Sequence, residues 1–202
     1  MSDPAPTALV GDSLVQGGDW QAWLPGETIY NFGVGGDTTD DVIARLWDVI
    51  NAQPAIVAVL IGTNDLAWRR SVEHVVRNVE TILVTLRREL PEVRILQQSV
   101  LPRGHEFADQ IRDINRHLWQ FSPTVHAQWL DLWPALALED GELNPLYSDD
   151  RLHLNEEGYR VWVGELVPAL ERLRQQAPSS RAITLPDLGW RESNDRSASS
   201  SD

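Results

Sequence analysis

"AIVAVLIGTND", residues 55–65, sets seven consecutive apolar residues against a Gly-Thr-Asn-Asp turn. A strand with one wet face alternates apolar and polar residues. An unbroken run of this length predicts a strand buried on both faces, the habit of a parallel sheet covered by helices on both sides. The flanking sequence carries the same message. Thr7–Val10 is a short apolar run ending on "GDS", and Thr28–Asn31 is a second strand candidate that leads into "GVGGDTT". Val93–Ser99 and Val125–Asp131 supply a fourth and a fifth.

Helix-like segments separate these strands. One contains Trp20 and Trp23. Asp37–Ile50 places Val42, Ile43, Leu46, Trp47 and Ile50 on one face, with Asp40 and Asp41 in its first turn. Ser71–Leu90 is the longest amphipathic stretch and stops at Pro91; Ala108–Phe121 carries Ile111, Ile114, Leu118 and Phe121. Asn155 caps a last helix that extends to about Arg174, with a kink expected near Pro168. Trp47, Trp119 and Trp162 fall on apolar helical faces and are expected in the core. Strands alternating with helices imply right-handed crossovers and a three-layer α/β/α sandwich around a central five-stranded parallel sheet.

The 202 residues, 42% of them hydrophobic, suffice for one substantial core. The expected organisation is one domain over residues 1–175 and a largely disordered tail over 176–202, rich in Ser, Arg, Asp and Pro. Within that tail "ITLPDLGW" (183–190) is a candidate to dock back on the domain. The chain has no Cys, which excludes disulfides, thiolate nucleophiles and Cys-based metal sites. A net charge of −13, with every basic residue an Arg, argues against nucleic acid and anionic membrane surfaces as partners. The N-terminus lacks the basic and apolar regions of a secretory signal, and no apolar run approaches a membrane span, so a cytoplasmic location without stable membrane insertion is expected.

In a sheet of this kind functional residues gather in loops beyond the carboxyl ends of the strands. Ser13 lies just past the first strand, Gly33, Gly35 and Gly36 past the second, "GTND" past the third, and "SDDRLHLN" (148–155) before the last helix. Their chemistry is complementary. Acyl transfer needs a nucleophile, a base, an orienter for the base and donors for the oxyanion. Ser13 can attack, His153 can take its proton, and Asp150, three residues earlier, can hold the imidazole. The Ser13 and Gly36 backbone N–H groups and the Asn64 side-chain amide can bind the oxyanion, and Gly36 allows close approach of the backbone.

Each signal alone is bland. Ser13 suits a turn, Asn64 a cap, and Asp-x-x-His occurs by chance in many loops; it is their order and common sheet edge that carry weight. Asp149 competes with Asp150, whose spacing is the better one. Asp12 reads as a turn former, Asp65 as a cap and His74 as structural, while His117 and His126 have no partners in sequence. A dinucleotide-type Gly-x-Gly-x-x-Gly reading fails at Thr38, and the Gly-x-Ser-x-Gly elbow of α/β-hydrolases fails at Val15. No cluster has metal-ligand spacing, so neither metal nor cofactor is expected. Arg103 and His105, leaving the fourth strand toward the same edge, are candidates to line the acyl or leaving-group pocket.

Taken together, "GDSL" with Ser13, "NFGVGGDTT" with Gly36, "GTND" with Asn64 and "DRLH" with Asp150 and His153 resemble the four blocks of the SGNH or GDSL hydrolases, over roughly residues 7–174. "GDSLVQ", "NFGVGGDTT" and "LPRG" (101–104) look most similar to catalytic subunits of intracellular platelet-activating-factor acetylhydrolase. The resemblance implies a flavodoxin-like fold, a metal-free serine esterase acting on a small-molecule or lipid-like ester with a short acyl group, and a homodimer as a state to test. Two other readings stand beside it: a carbohydrate acetylesterase of the same family, and a binding or scaffold protein that keeps the fold without the chemistry.

Overall fold

In the computed structural model, which describes residues 6–176, the 55–65 run forms the middle of the sheet. β3 (Ile56–Leu60) pairs in parallel with β1 (Thr7–Gly11) on one side and β4 (Arg94–Gln98) on the other. β2 (Ile29–Gly33) flanks β1 and β5 (Ala127–Leu130) flanks β4, also in parallel, giving the order β2-β1-β3-β4-β5. The continuous apolar character of β3 has a direct cause. Val57 and Val59 project into one core with Ala8, Val10 and Ile95, while Ile56, Ala58 and Leu60 project into the other with Leu9, Leu96 and Leu130.

Helices cover both cores. α1 (Ser13–Gln16), α2 (Trp20–Trp23), α8 (Trp133–Leu136) and α9 (Glu156–Gln175) contribute to the second core. α3 (Thr39–Ala44), α4 (Leu46–Asn51), α5 (Thr63–Ala67), α6 (Val72–Glu89) and α7 (Ala108–Phe121) contribute to the first. The three-layer α/β/α expectation therefore holds. The chain moves from β1 outward to β2, then returns past β1 to form β3. This reversal makes the gap between the ends of β1 and β3 a topological switch point, where such sheets hold ligands.

Three sequence readings are corrected. The single helix expected over 37–50 is two helices, broken at Arg45, whose φ of −108° and ψ of 12° leave the helical region. Trp47 and Trp119 are 54% and 56% exposed, whereas Trp162 is buried and donates from Nε1 to Gln98 Oε1 at 2.7 Å. Helical spacing assigns a residue to a face but cannot say how far the neighbouring layer reaches. The fifth strand begins at Ala127, because Ser122–Val125 form a turn of 3₁₀ helix. α9 runs as one helix with Pro168 inside it, and Asn155 caps it by accepting from Gly158 N at 3.0 Å. No helix among the described residues is long and apolar enough to cross a membrane. The expected tail beyond Gln176, including 183–190, lies outside the described residues.

Candidate active site

The end of β1 turns sharply into α1, so Ser13 becomes the first residue of a four-residue helix. Asp12 drives that turn: its Oδ1 accepts from Leu14 N at 3.0 Å. The rest of α1 is pinned from the α9 and α2 side. Tyr159 donates its hydroxyl to Leu14 O at 2.8 Å, and Trp20 Nε1 donates to Val15 O at 2.6 Å. Asp12 is fully buried and its Oδ2 has no partner among the described residues. Burial pushes its carboxyl up to about 7, against the lowering pull of the Leu14 N–H and of the nearby His153 ring. Burial, with a smaller contribution from Asp12, likewise pushes the Tyr159 phenol up to about 12.

The loop after β2 folds against this turn. Val34 N donates to Gly11 O at 3.1 Å, and Asp37 N donates to Val34 O at 3.2 Å, closing a turn over Gly35 and Gly36. Gly36 has φ of +86°, which suits the third position of a type II turn, where a side chain would be strained. Just before it, Gly33 lies so close to α1 that a Cβ would come within 2.2 Å of Gln16 N.

The third loop enters α5 directly from β3. Asn64 Nδ2 donates to Asp37 O at 2.9 Å, which joins the Asn64 amide to the glycine loop. The adjacent Asp65 is fully buried and accepts from Thr39 N at 3.0 Å and from Thr39 Oγ1 at 2.6 Å. Burial raises its carboxyl pKa despite those bonds.

From the segment before α9, the His153 ring reaches back across the sheet edge. Its Nε2 lies 3.1 Å from Ser13 Oγ, and its Nδ1 lies 2.7 Å from Asp150 Oδ2. Asp150 Oδ1 meanwhile accepts from His153 N at 2.7 Å, Leu152 N at 2.9 Å and Ser148 Oγ at 3.3 Å. Burial acts to raise the Asp150 carboxyl, but the His153 and Leu152 hydrogen bonds outweigh it and hold the group at about 2. The Ser148 hydroxyl also accepts from Leu152 N at 3.2 Å. The segment is braced further by Arg151, which pairs with Glu142 at 2.5 Å and Glu106 at 3.1 Å.

Of the residues singled out in the sequence, Ser13, His153 and Asp150 are thus brought together, with the Gly36 turn and Asn64 linked to each other through Asp37. Arg103 and His105 are held by contacts of their own, and Arg103 reaches the residue before Asn64. Arg103 Nη1 donates to Thr63 O at 2.9 Å, and its guanidinium lies 4.2 Å from the centroid of the Phe107 ring. Burial lowers its pKa, with Glu106, Asp12 and Asp150 opposing that shift from a distance. The exposed His105 ring lies 3.7 Å from Glu106. Among the described residues no group of three or more His, Asp or Glu side chains can hold a metal ion. Sequence reasoning passed over Ser148, Tyr159 and Asp37, whose partners lie too far along the chain, or depend too closely on the turn, to leave a local pattern.

This arrangement can be set beside known proteins. Residues 9–161 match the model of the GDSL-like lipase/acylhydrolase family. The platelet-activating factor acetylhydrolase IB subunit alpha1 of Rattus norvegicus is 30% identical over 190 residues, covering 89% of this chain and 80% of its own. The alpha2 subunit of the same organism is 29% identical over 195 residues, covering 91% and 84%. Among solved structures, a GDSL-like lipase from Bacteroides thetaiotaomicron superposes with a TM-score of 0.71 at 22% identity, covering 85% of this chain and 92% of its own. An acetyl xylan esterase superposes with a TM-score of 0.70 at 19% identity, covering 82% and 99%. The chain belongs to the GDSL-like lipase/acylhydrolase family and is a carboxylic ester hydrolase.

Proposed function

We propose that the protein hydrolyses short-chain carboxylic esters through a covalent acyl-enzyme on Ser13. The observation that carries this reading is the unbroken relay from Ser13 Oγ to His153 Nε2 (3.1 Å) and from His153 Nδ1 to Asp150 Oδ2 (2.7 Å). Ser13 Oγ attacks the ester carbonyl as His153 Nε2 accepts its proton. Asp150 keeps the other ring nitrogen protonated and stabilises the imidazolium that forms. The negative charge that develops on the carbonyl oxygen is received by Ser13 N–H, Gly36 N–H and the Asn64 amide hydrogen that does not go to Asp37. As the tetrahedral adduct collapses, His153 returns its proton to the departing alcohol. Water, activated by the same imidazole, then attacks the acyl-enzyme and releases the acid. No step calls for a metal or cofactor.

Ser13→Ala tests this most directly. Turnover of p-nitrophenyl acetate should fall by about 10⁴-fold or more, as when a nucleophile is removed from a comparable triad. A fluorophosphonate probe should label the parent protein and not the variant. Near-normal turnover by Ser13→Ala would end the mechanism.

A second reading, removal of acetyl groups from carbohydrate, is favoured by one feature. A cavity of about 550 Å³ between α7 and β5 is lined by Trp119, Trp129 and Trp133 together with Arg112 and Asp131. None of Ser13, Gly36, Asn64, Asp150 and His153 lines this cavity, so it bears on the reading only as a place for the sugar chain away from the ester, where indole faces stack on apolar surfaces and arginines donate to hydroxyls. Comparison of kcat/KM on acetylated xylo-oligosaccharides with that on simple acetate esters separates the two readings.

A further inference from the structure

Arg45 stands where the expected continuous helix breaks, between α3 and α4, and the break turns its side chain back to the sheet edge. Its Nε donates to Asp37 Oδ2 at 2.6 Å, and its Nη2 donates to Gly11 O at 3.0 Å. Both partners belong to the candidate site. Gly11 O also accepts from Val34 N, so Arg45 completes that carbonyl two residues before Ser13. Asp37 closes the turn over Gly36 through its N–H and receives Asn64 Nδ2 on its own carbonyl oxygen. One guanidinium thereby braces the residues that place Ser13, Gly36 and Asn64.

The chemistry suits the task. A guanidinium presents several N–H donors in a fixed plane, so it can hold a carboxylate and a carbonyl at a set spacing; an ammonium on a flexible stem cannot do so equally well. The pair is largely buried, with side-chain exposures of 20% for Arg45 and 13% for Asp37, so water competes poorly for either group. Preorganised donors are effective because they need no rearrangement as charge develops, and small displacements weaken them.

We propose that Arg45 is a positioning residue for the oxyanion cradle, acting through Asp37 and Gly11 without touching substrate. This rests on the acyl-transfer reading given above. The test is a double-mutant cycle with Asn64 in the full-length protein. Arg45→Met should lower kcat about 30-fold with KM within about twofold, less than the roughly 10²- to 10³-fold loss when an oxyanion donor is deleted. In an Asn64→Ala background, where much of the cradle is already lost, the same substitution should cost less than about threefold. Arg45→Lys should recover part of kcat and serves in the cycle if Arg45→Met does not fold by circular dichroism. Equal costs in both backgrounds would reduce Arg45 to a general structural role and overturn the proposal, as would unchanged kcat in Arg45→Met. Full activity of Asn64→Ala alone would instead overturn the cradle itself, and Arg45 with it, an outcome distinct from additivity.

Discussion

Asp150 holds His153 at two points at once: Oδ2 receives the ring Nδ1 at 2.7 Å, and Oδ1 receives the backbone N–H of the same residue at 2.7 Å. The three-residue spacing makes this closed loop possible, and it ties the ring tautomer to the backbone that carries the ring. Leu152 N and Ser148 Oγ share the second oxygen, so the carboxylate has little freedom to rotate. Asp149, next in sequence, has no such contact with His153.

Asp150→Asn should therefore lower kcat by about 10³- to 10⁴-fold, because an amide in that place favours the wrong imidazole tautomer. Asp149→Asn should stay within about twofold of the parent. Steady-state hydrolysis of p-nitrophenyl acetate by the two variants decides between the neighbours, and a reversed ranking would remove Asp150 from the mechanism.

Tyr159 connects the last helix to the nucleophile turn through its hydrogen bond to Leu14 O in the buried region. Tyr159→Phe keeps the ring contacts with Trp20, Trp23 and Trp162 and deletes only the hydroxyl. A buried carbonyl that loses its partner costs about 1–2 kcal/mol. At this chain length a melting temperature lower by about 2–6 °C is expected. An unchanged melt would mean that the bond contributes nothing net to folding.

Two glycines, one ending β2 and one in the turn after it, should respond differently to alanine. At Gly33 a Cβ would meet the Gln16 backbone nitrogen at 2.2 Å, and backbone cannot step aside cheaply. At Gly36 a Cβ meets nothing within 4 Å, leaving only the strain of φ +86°. Gly33→Ala should thus destabilise by about 2 kcal/mol or more through overpacking, and Gly36→Ala by about 1 kcal/mol. Denaturant midpoints of the two variants measure this, with the order Gly33→Ala below Gly36→Ala.

The layer architecture was legible because a doubly buried strand leaves its mark in consecutive residues such as Ile56 to Leu60, and the four loop motifs follow from where those strands end. What stayed hidden depends on contacts between distant parts of the chain. Arg45 looked like one turn of a continuous helix; its partners Gly11 and Asp37 lie 34 and 8 residues away. Trp47 and Trp119 obeyed the helical period and still face solvent, since nothing packs over them fully. Gln98, buried between the equally buried Gln97 and Ser99, has its side-chain oxygen met by the Trp162 indole, 64 residues further along the chain. Asp12 reads as a turn residue, and its hydrogen bond to Leu14 N agrees with that, but its complete burial is a property of the folded chain that no adjacent residue announces.

That burial gives the last prediction. The Asp12 carboxyl is raised to about 7 in the folded protein, from 3.8 without burial. Between these values the native state holds a proton that the unfolded chain has released. Stability therefore falls as pH rises from about 4 to about 7, by an amount on the order of a few kcal/mol, and levels off above. Asp150 has the opposite sign: held at about 2, it supports the fold above about pH 4, and that support is lost as pH falls toward 2. Asp12→Asn keeps an oxygen for Leu14 N and cannot ionise. It should remove the Asp12 share of that decline, leaving only what the buried and likewise raised Asp65 carboxyl contributes, and keep the acid limb intact. Urea unfolding across pH 3–8 reads both limbs. A variant that loses stability over pH 4–7 as steeply as the parent would show that the decline does not arise at Asp12.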